Sequence, residues 1–212
     1  MKRLFVVPIL LLSLLVGNPA FSADFQKGLD AYDKEDYETA LNELTPLAEQ
    51  GNVRAQFFLG FMYNYGKGVP QDYKTAVKWY MLAANNGDAD AQHSLGWMYD
   101  SGQGIAQNFK FAAKWYVRAA EQGHKKAQFN LASMYNRGNG VPQDFVLAYM
   151  WWSVSASLGD EIAPFDRDIV VKKLSPTELK TAQLLARECI KKNYRAPRIM
   201  PYFGEVKVNW AR

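Results

Sequence analysis

The chain repeats itself every 36 residues, and no other feature constrains its fold as strongly. Gly51, Gly87, Gly123 and Gly159 lie 36 apart, as do Ala55, Ala91, Ala127 and Ala163. Leu59, Leu95 and Leu131 recur at that spacing, together with Tyr63, Tyr99 and Tyr135, with Ala76, Ala112 and Ala148, and with Trp79, Trp115 and Trp151. A unit of this length holding two helical stretches cannot bury its apolar face alone, so successive units stack into a solenoid. Such an array presents surfaces rather than a reaction centre, which directs the functional reading towards binding.

Within one unit, Ala55, Leu59, Met62 and Tyr63 share a face at helical spacing and predict a first helix over 53–64. Tyr65-Gly66-Lys67-Gly68-Val69-Pro70-Gln71 follows, a stretch that no helix interior accepts. Asp72 is placed to cap the second helix, and Ala76, Trp79, Tyr80, Ala83 and Ala84 give that helix its apolar stripe. Gly87 supplies the left-handed residue that ends it. The next units keep this grammar, with Ile105 plugging and Asn108 capping in the second and Asp144 capping in the third. Alanines at the helix crossings let backbones approach, and the facing Trp and Tyr rings fill the remaining volume.

The Tyr-x-x-Gly-x-Gly-Val-Pro turn, the Ala-x-x-Trp-Tyr of the second helix and the closing Ala-Ala-x-x-Gly resemble the Sel-like repeat (SLR) family, longer-looped relatives of the tetratricopeptide repeats. The resemblance covers three units, 52–87, 88–123 and 124–159, of which the third is loosest, with Trp152 in the tyrosine place and Ser155 in that of an alanine. Residues 24–51 look like a degenerate, tetratricopeptide-like first repeat carrying Tyr32, Tyr37, Ala40, Leu44 and Ala48. The resemblance implies an all-α fold, a right-handed superhelical solenoid of antiparallel helix pairs that mediates protein or ligand contacts. After Gly159, Ala163 keeps the register but no glycine turn follows, so 160–192 is read as capping helices. Ser175-Pro176-Thr177-Glu178 is a capping box with proline at the first helical position. Leu179, Ala182, Leu185, Ala186 and Cys189 form the buried face of the final helix.

The amino terminus reads as a secretory signal peptide over 1–22: Lys2 and Arg3, an apolar run over 4–16, then Gly17-Asn18-Pro19 and small residues permitting a cut after Ser22 or Ala23. A membrane anchor would need about 20 apolar residues, and no integral anchor is expected in the processed form. Removing the two basic residues of the leader from 25 leaves 23 against 21 acidic ones, too even a balance to suggest a nucleic-acid partner. The basic excess lies from residue 160 onward, with 11 basic and 7 acidic residues. Cys189 is the single cysteine, read as a buried thiol, with an intermolecular disulfide as the alternative.

Catalytic signatures are missing from the sequence. His93 and His124 are the only histidines and sit in no zinc-ligand spacing, so neither metal nor cofactor is expected. No S-x-x-K and no paired cysteines occur, which disfavours the cell-wall or glycan-active enzymes of the β-lactamase-like SLR type. Asp88, Asp90 and Asp100 are read as solvated carboxylates at helix ends.

Binding residues are sought where the units differ. The face of the first helix away from Ala55, Leu59 and Met62 carries Phe57, Phe61 and Asn64, then His93, Trp97 and Asp100, then Phe129, Ser133 and Asn136. These nine are the candidate groove for a protein or peptide ligand, with asparagine placed to bond extended backbone; the alternative reading makes Phe57, Phe61 and Phe129 further core. The tail over 193–212, with Pro197, Pro201, Tyr202, Phe203, Val206, Val208 and Trp210, is expected to pack back on the superhelix or to dock on a partner. The expectation is a non-catalytic scaffold of the bacterial envelope, periplasmic or secreted, with a secreted host-interaction factor as the alternative.

Overall fold

The computed structural model describes residues 24–195; the expected leader and most of the tail lie outside them. Among the described residues every regular element is a helix. Four hairpins come first: α1 (Phe25–Asp33) with α2 (Tyr37–Glu49), α3 (Val53–Tyr65) with α4 (Tyr73–Asn85), α5 (Ala89–Ser101) with α6 (Phe109–Ala120), and α7 (Lys125–Arg137) with α8 (Phe145–Ser157). Two closing helices follow, α9 (Ala163–Val171) and α10 (Pro176–Lys191), and both pack on α8. Each helix otherwise touches its hairpin mate and the helix next in sequence, the contact pattern of a solenoid.

The local grammar follows capping chemistry. Asn52, Asp88 and His124 cap α3, α5 and α7, accepting from the backbone N–H of Ala55, Ala91 and Ala127. Asp72, Asn108 and Asp144 cap the second helices in the same way. The first helices end on Gly66, Gly102 and Gly138 at φ of 65°, 77° and 74°. The loop is closed by a side chain that recurs with the period: Gln71, Gln107 and Gln143 donate Nε2 to the carbonyls of Asn64, Asp100 and Asn136 at 2.8, 2.7 and 2.8 Å.

A second glutamine row holds the units to one another. Gln56, Gln92 and Gln128 are buried and donate Nε2 back to the carbonyls of Ala48, Ala84 and Ala120 at 3.1, 3.1 and 3.0 Å. Each bond joins the first helix of one unit to the end of the preceding helix, adding a second donor to a carbonyl that already accepts the N–H of Gly51, Gly87 or Gly123. Close approach within a hairpin rests on glycine as well as alanine. A Cβ on Gly60 or Gly96 would lie 2.6 or 2.7 Å from the rings of Tyr80 and Tyr116. Ser155, the outlier in the alanine series, is fully buried and donates its hydroxyl to the Lys125 carbonyl at 2.9 Å.

The core divides in two. One cluster runs from Ala31 through Leu44 to Leu59 and Met62, with Phe58 and Trp79 at its margin. The larger one extends from Ala76 through Trp115 and Trp151 to Cys189. In the closing segment Ser175 and Glu178 form the expected reciprocal capping box. Ala182, Ala186 and Cys189 are buried, and burial raises the Cys189 thiol to about 11, away from the reactive thiolate.

Candidate functional site

The first helices α3, α5 and α7 border a cavity of about 450 Å³, and five of the nine groove candidates line it: Phe57, Phe61, Asn64, His93 and Trp97. The aromatic walls divide between core and surface. Phe57 is half-buried against the larger core cluster, with its ring centroid 5.9 Å from that of Tyr80, whereas Trp97 is 39% exposed and Tyr65 57% exposed. Phe61 joins the two regimes, lying 6.4 Å from Phe57 and 4.4 Å from Tyr65 by ring centroids. Asn64 is buried, and its Oδ1 has no hydrogen-bond partner, an arrangement that costs about 1–3 kcal/mol unless a donor arrives.

One edge of the cavity is charged. Arg54 Nη1 donates to Asp88 Oδ2 at 2.9 Å and to Asp90 Oδ2 at 2.8 Å, and Asp90 Oδ1 lies 3.4 Å from Nε2 of His124. The hydrogen bond from His124, then that from Arg54, holds the Asp90 carboxyl well below its usual value against the opposing effect of burial. Asp88 and Asp90 are therefore more than the free helix-end carboxylates that their sequence suggests: the Asp88 side chain is only 5% exposed, and Asp90, though about half exposed, ties three successive units together. The His93 and His124 rings stack with centroids 4.5 Å apart. Burial, reinforced by His124 and Lys126, pushes His93 down to about 3, so its ring is neutral at neutral pH. Nε2 of His93 accepts from the Asn130 amide at 3.3 Å in that neutral form, which puts the ring proton on Nδ1.

The other four candidates lie outside this cavity. Asp100 is half-buried, and burial raises its carboxyl above the usual value. Phe129 packs 6.4 Å from Trp152 by ring centroids, and Ser133 donates to the Phe129 carbonyl at 3.2 Å. Asn136 Oδ1 accepts from Lys173 Nζ at 3.3 Å, and the same ammonium sits 4.6 Å over the Phe145 ring. The segment after α9 thus reaches the third unit and occupies its asparagine.

Sequence reasoning missed Tyr65, Tyr80, Asp90, Ser94, His124, Lys125 and Lys126, which complete the lining. The period contains the signal for part of this edge, because Arg54, Asp90 and Lys126 are 36 apart and alternate in sign. Ser94 donates its hydroxyl to the Asp90 carbonyl at 2.8 Å, so it is not poised as a nucleophile against either histidine. Among the described residues no group of three His, Cys, Asp or Glu side chains is placed to hold a metal, and no helix is long and apolar enough to cross a membrane. The cavity offers aromatic surface, one buried acceptor and a charged rim.

Three consecutive stretches, 53–88, 89–124 and 125–160, match the Sel1 repeat family. The chain belongs to the Sel1 repeat family, whose helical-repeat fold is the one described above. Among solved structures it is similar to a Sel1 repeat protein from Oxalobacter formigenes, at 30% identity and a TM-score of 0.66, over 82% of this chain and 79% of that one. It is also similar to c5321, a protective antigen of uropathogenic Escherichia coli strains with an SLR fold, at 28% identity and a TM-score of 0.58. That match covers 80% of this chain but 45% of the antigen, so the chain spans less than half of the antigen's length. No curated protein matches it in sequence.

Proposed function

We propose that the chain is a non-catalytic scaffold that binds an extended peptide segment of another protein in the cavity bordered by α3, α5 and α7. The observation that carries this reading is the side-chain carbonyl oxygen of Asn64, buried in a cavity walled by Phe57, Phe61 and Tyr80 and lacking a donor. Once the Asn64 amide turns towards the cavity, a backbone N–H of an extended peptide supplies that donor, and the peptide's side chains take the aromatic walls. The place of action in this reading is the periplasm or the secreted fraction, on the strength of the basic, apolar and small-residue succession over 1–22. The likeness to a protective antigen favours a second reading, a secreted factor that engages host proteins. Fractionation tests the second: recovery only with periplasmic markers rules it out, whereas recovery in culture medium is what it requires.

Display of random peptides against the chain and against a Phe61→Ala/Trp97→Ala variant tests the site. Peptides selected by the parent should lose at least ten-fold in affinity for the variant, as truncated aromatic anchors do, while its helical circular dichroism is unchanged. Equal affinity for both proteins would remove this cavity as the binding site.

A further inference from the structure

We infer that the chain's own segment 196–212 docks in this same cavity and competes with incoming peptides, an inference that rests on the groove reading above. The exit of the described chain sets the geometry. After α10 the backbone turns through positive φ at Asn193 (52°) and Tyr194 (66°), and the Tyr194 N–H bonds the Cys189 carbonyl at 2.8 Å. This turn lays the Tyr194 ring against Gly123, where an added Cβ would meet it at 3.0 Å. Gly123 directly precedes His124, and His124, Lys125 and Lys126 line the cavity. The chain therefore leaves α10 beside the basic rim of the site.

Reach and chemistry agree with that placement. The seventeen residues of 196–212 span up to roughly 55–60 Å when extended, at about 3.3–3.6 Å each. They carry Tyr202, Phe203 and Trp210 for the aromatic walls and backbone N–H groups for Asn64 Oδ1. A rival apolar surface exists on α9, where Ile162, Phe165 and Ile169 are exposed. It has no orphaned acceptor among the buried unpartnered atoms, and so lacks the feature that selects an extended backbone.

The test uses residues 24–212 with Cys189→Ala and a nitroxide on Val206→Cys, read by NMR. Docking in the cavity should bleach the Trp97 indole and the His93 and His124 ring signals by at least half, and Tyr202→Ala/Phe203→Ala should restore them. Intact signals at those three residues, or bleaching centred on Phe165, would overturn the inference. A second readout separates it from the groove reading: a displayed peptide should bind the Tyr202→Ala/Phe203→Ala variant at least ten-fold more tightly than the parent. Equal binding to both ends the competition and leaves the peptide groove standing. Bleaching without any selectable peptide keeps the intramolecular docking and ends the groove as a partner site.

Discussion

His93 occupies the repeat position that holds Phe57 and Phe129, and it behaves as a polar aromatic under load from burial. Its neighbours are the stacked His124, the amide of Asn130, and the charges of Lys126 and Asp90. The folded value of about 3 lies below the roughly 6.5 of a free imidazole. Between those values the unfolded chain binds the extra proton, so stability is fully present above about pH 6.5 and declines as pH falls towards 3, with a slope approaching 1.4 kcal/mol per pH unit. His93→Phe should remove this slope. Urea midpoints at pH 7 and pH 4.5 measure it, and an unchanged pH dependence in the variant would show that His93 is not its source. The carboxyl of Asp90 is held down in the fold, so its own loss of stability sets in only below the unfolded carboxylate value of roughly 3.9 and adds little at pH 4.5. With side chains about half exposed, its ion pair with Arg54 contributes only about 0–1 kcal/mol.

At the scale of the helices and turns, the Gly-x-Gly pairs contain two different requirements that their sequence presents as one. Gly102 ends α5 in the left-handed region, where an added Cβ would stand 3.2 Å from that of Gln107, whereas a Cβ on Gly104 would lie 2.4 Å from the Tyr73 carbonyl oxygen of the preceding unit. Both substitutions to alanine strain a positive φ, at about 1 kcal/mol or more, but only Gly104→Ala also drives atoms into backbone. Gly104→Ala should therefore lower the melting temperature clearly more than Gly102→Ala, and the reverse order would contradict the assigned roles. Helix positions, caps and turns were legible because each follows from short-range chemistry that recurs in register. The glutamine rows were equally periodic, yet their partners are carbonyls whose positions no pattern of side chains reveals. Asn136 was lost to the groove for a similar reason, since it is occupied by Lys173 from the aperiodic segment.

Across the whole molecule the two core clusters make stability regional. Leu44 is fully buried in the cluster around α1, α2 and α3, and Leu44→Ala should destabilise that region by about 2–5 kcal/mol. In an array coupled only between neighbours the loss stays local. Hydrogen exchange should accelerate in α1 and α2 while the amides of α7 and α8 keep their protection; uniform acceleration would show one cooperative unit instead. The solenoid was legible as a whole from the 36-residue period, but the cavity was not, because it depends on which side chains of three first helices come together around His93 and Trp97, and the period does not encode that. The glutamine row that fastens unit to unit also specifies where copies can be added. Carried forward another 36 residues from Gln128, that row reaches Pro164, which has no side-chain donor, so the Ala156 carbonyl keeps the Gly159 N–H bond common to all units but lacks the glutamine. Tandem duplication within 52–159 therefore regenerates a matching joint on both sides of the new copy, whereas duplication beyond it does not, and the gene's room to lengthen this protein lies in its interior.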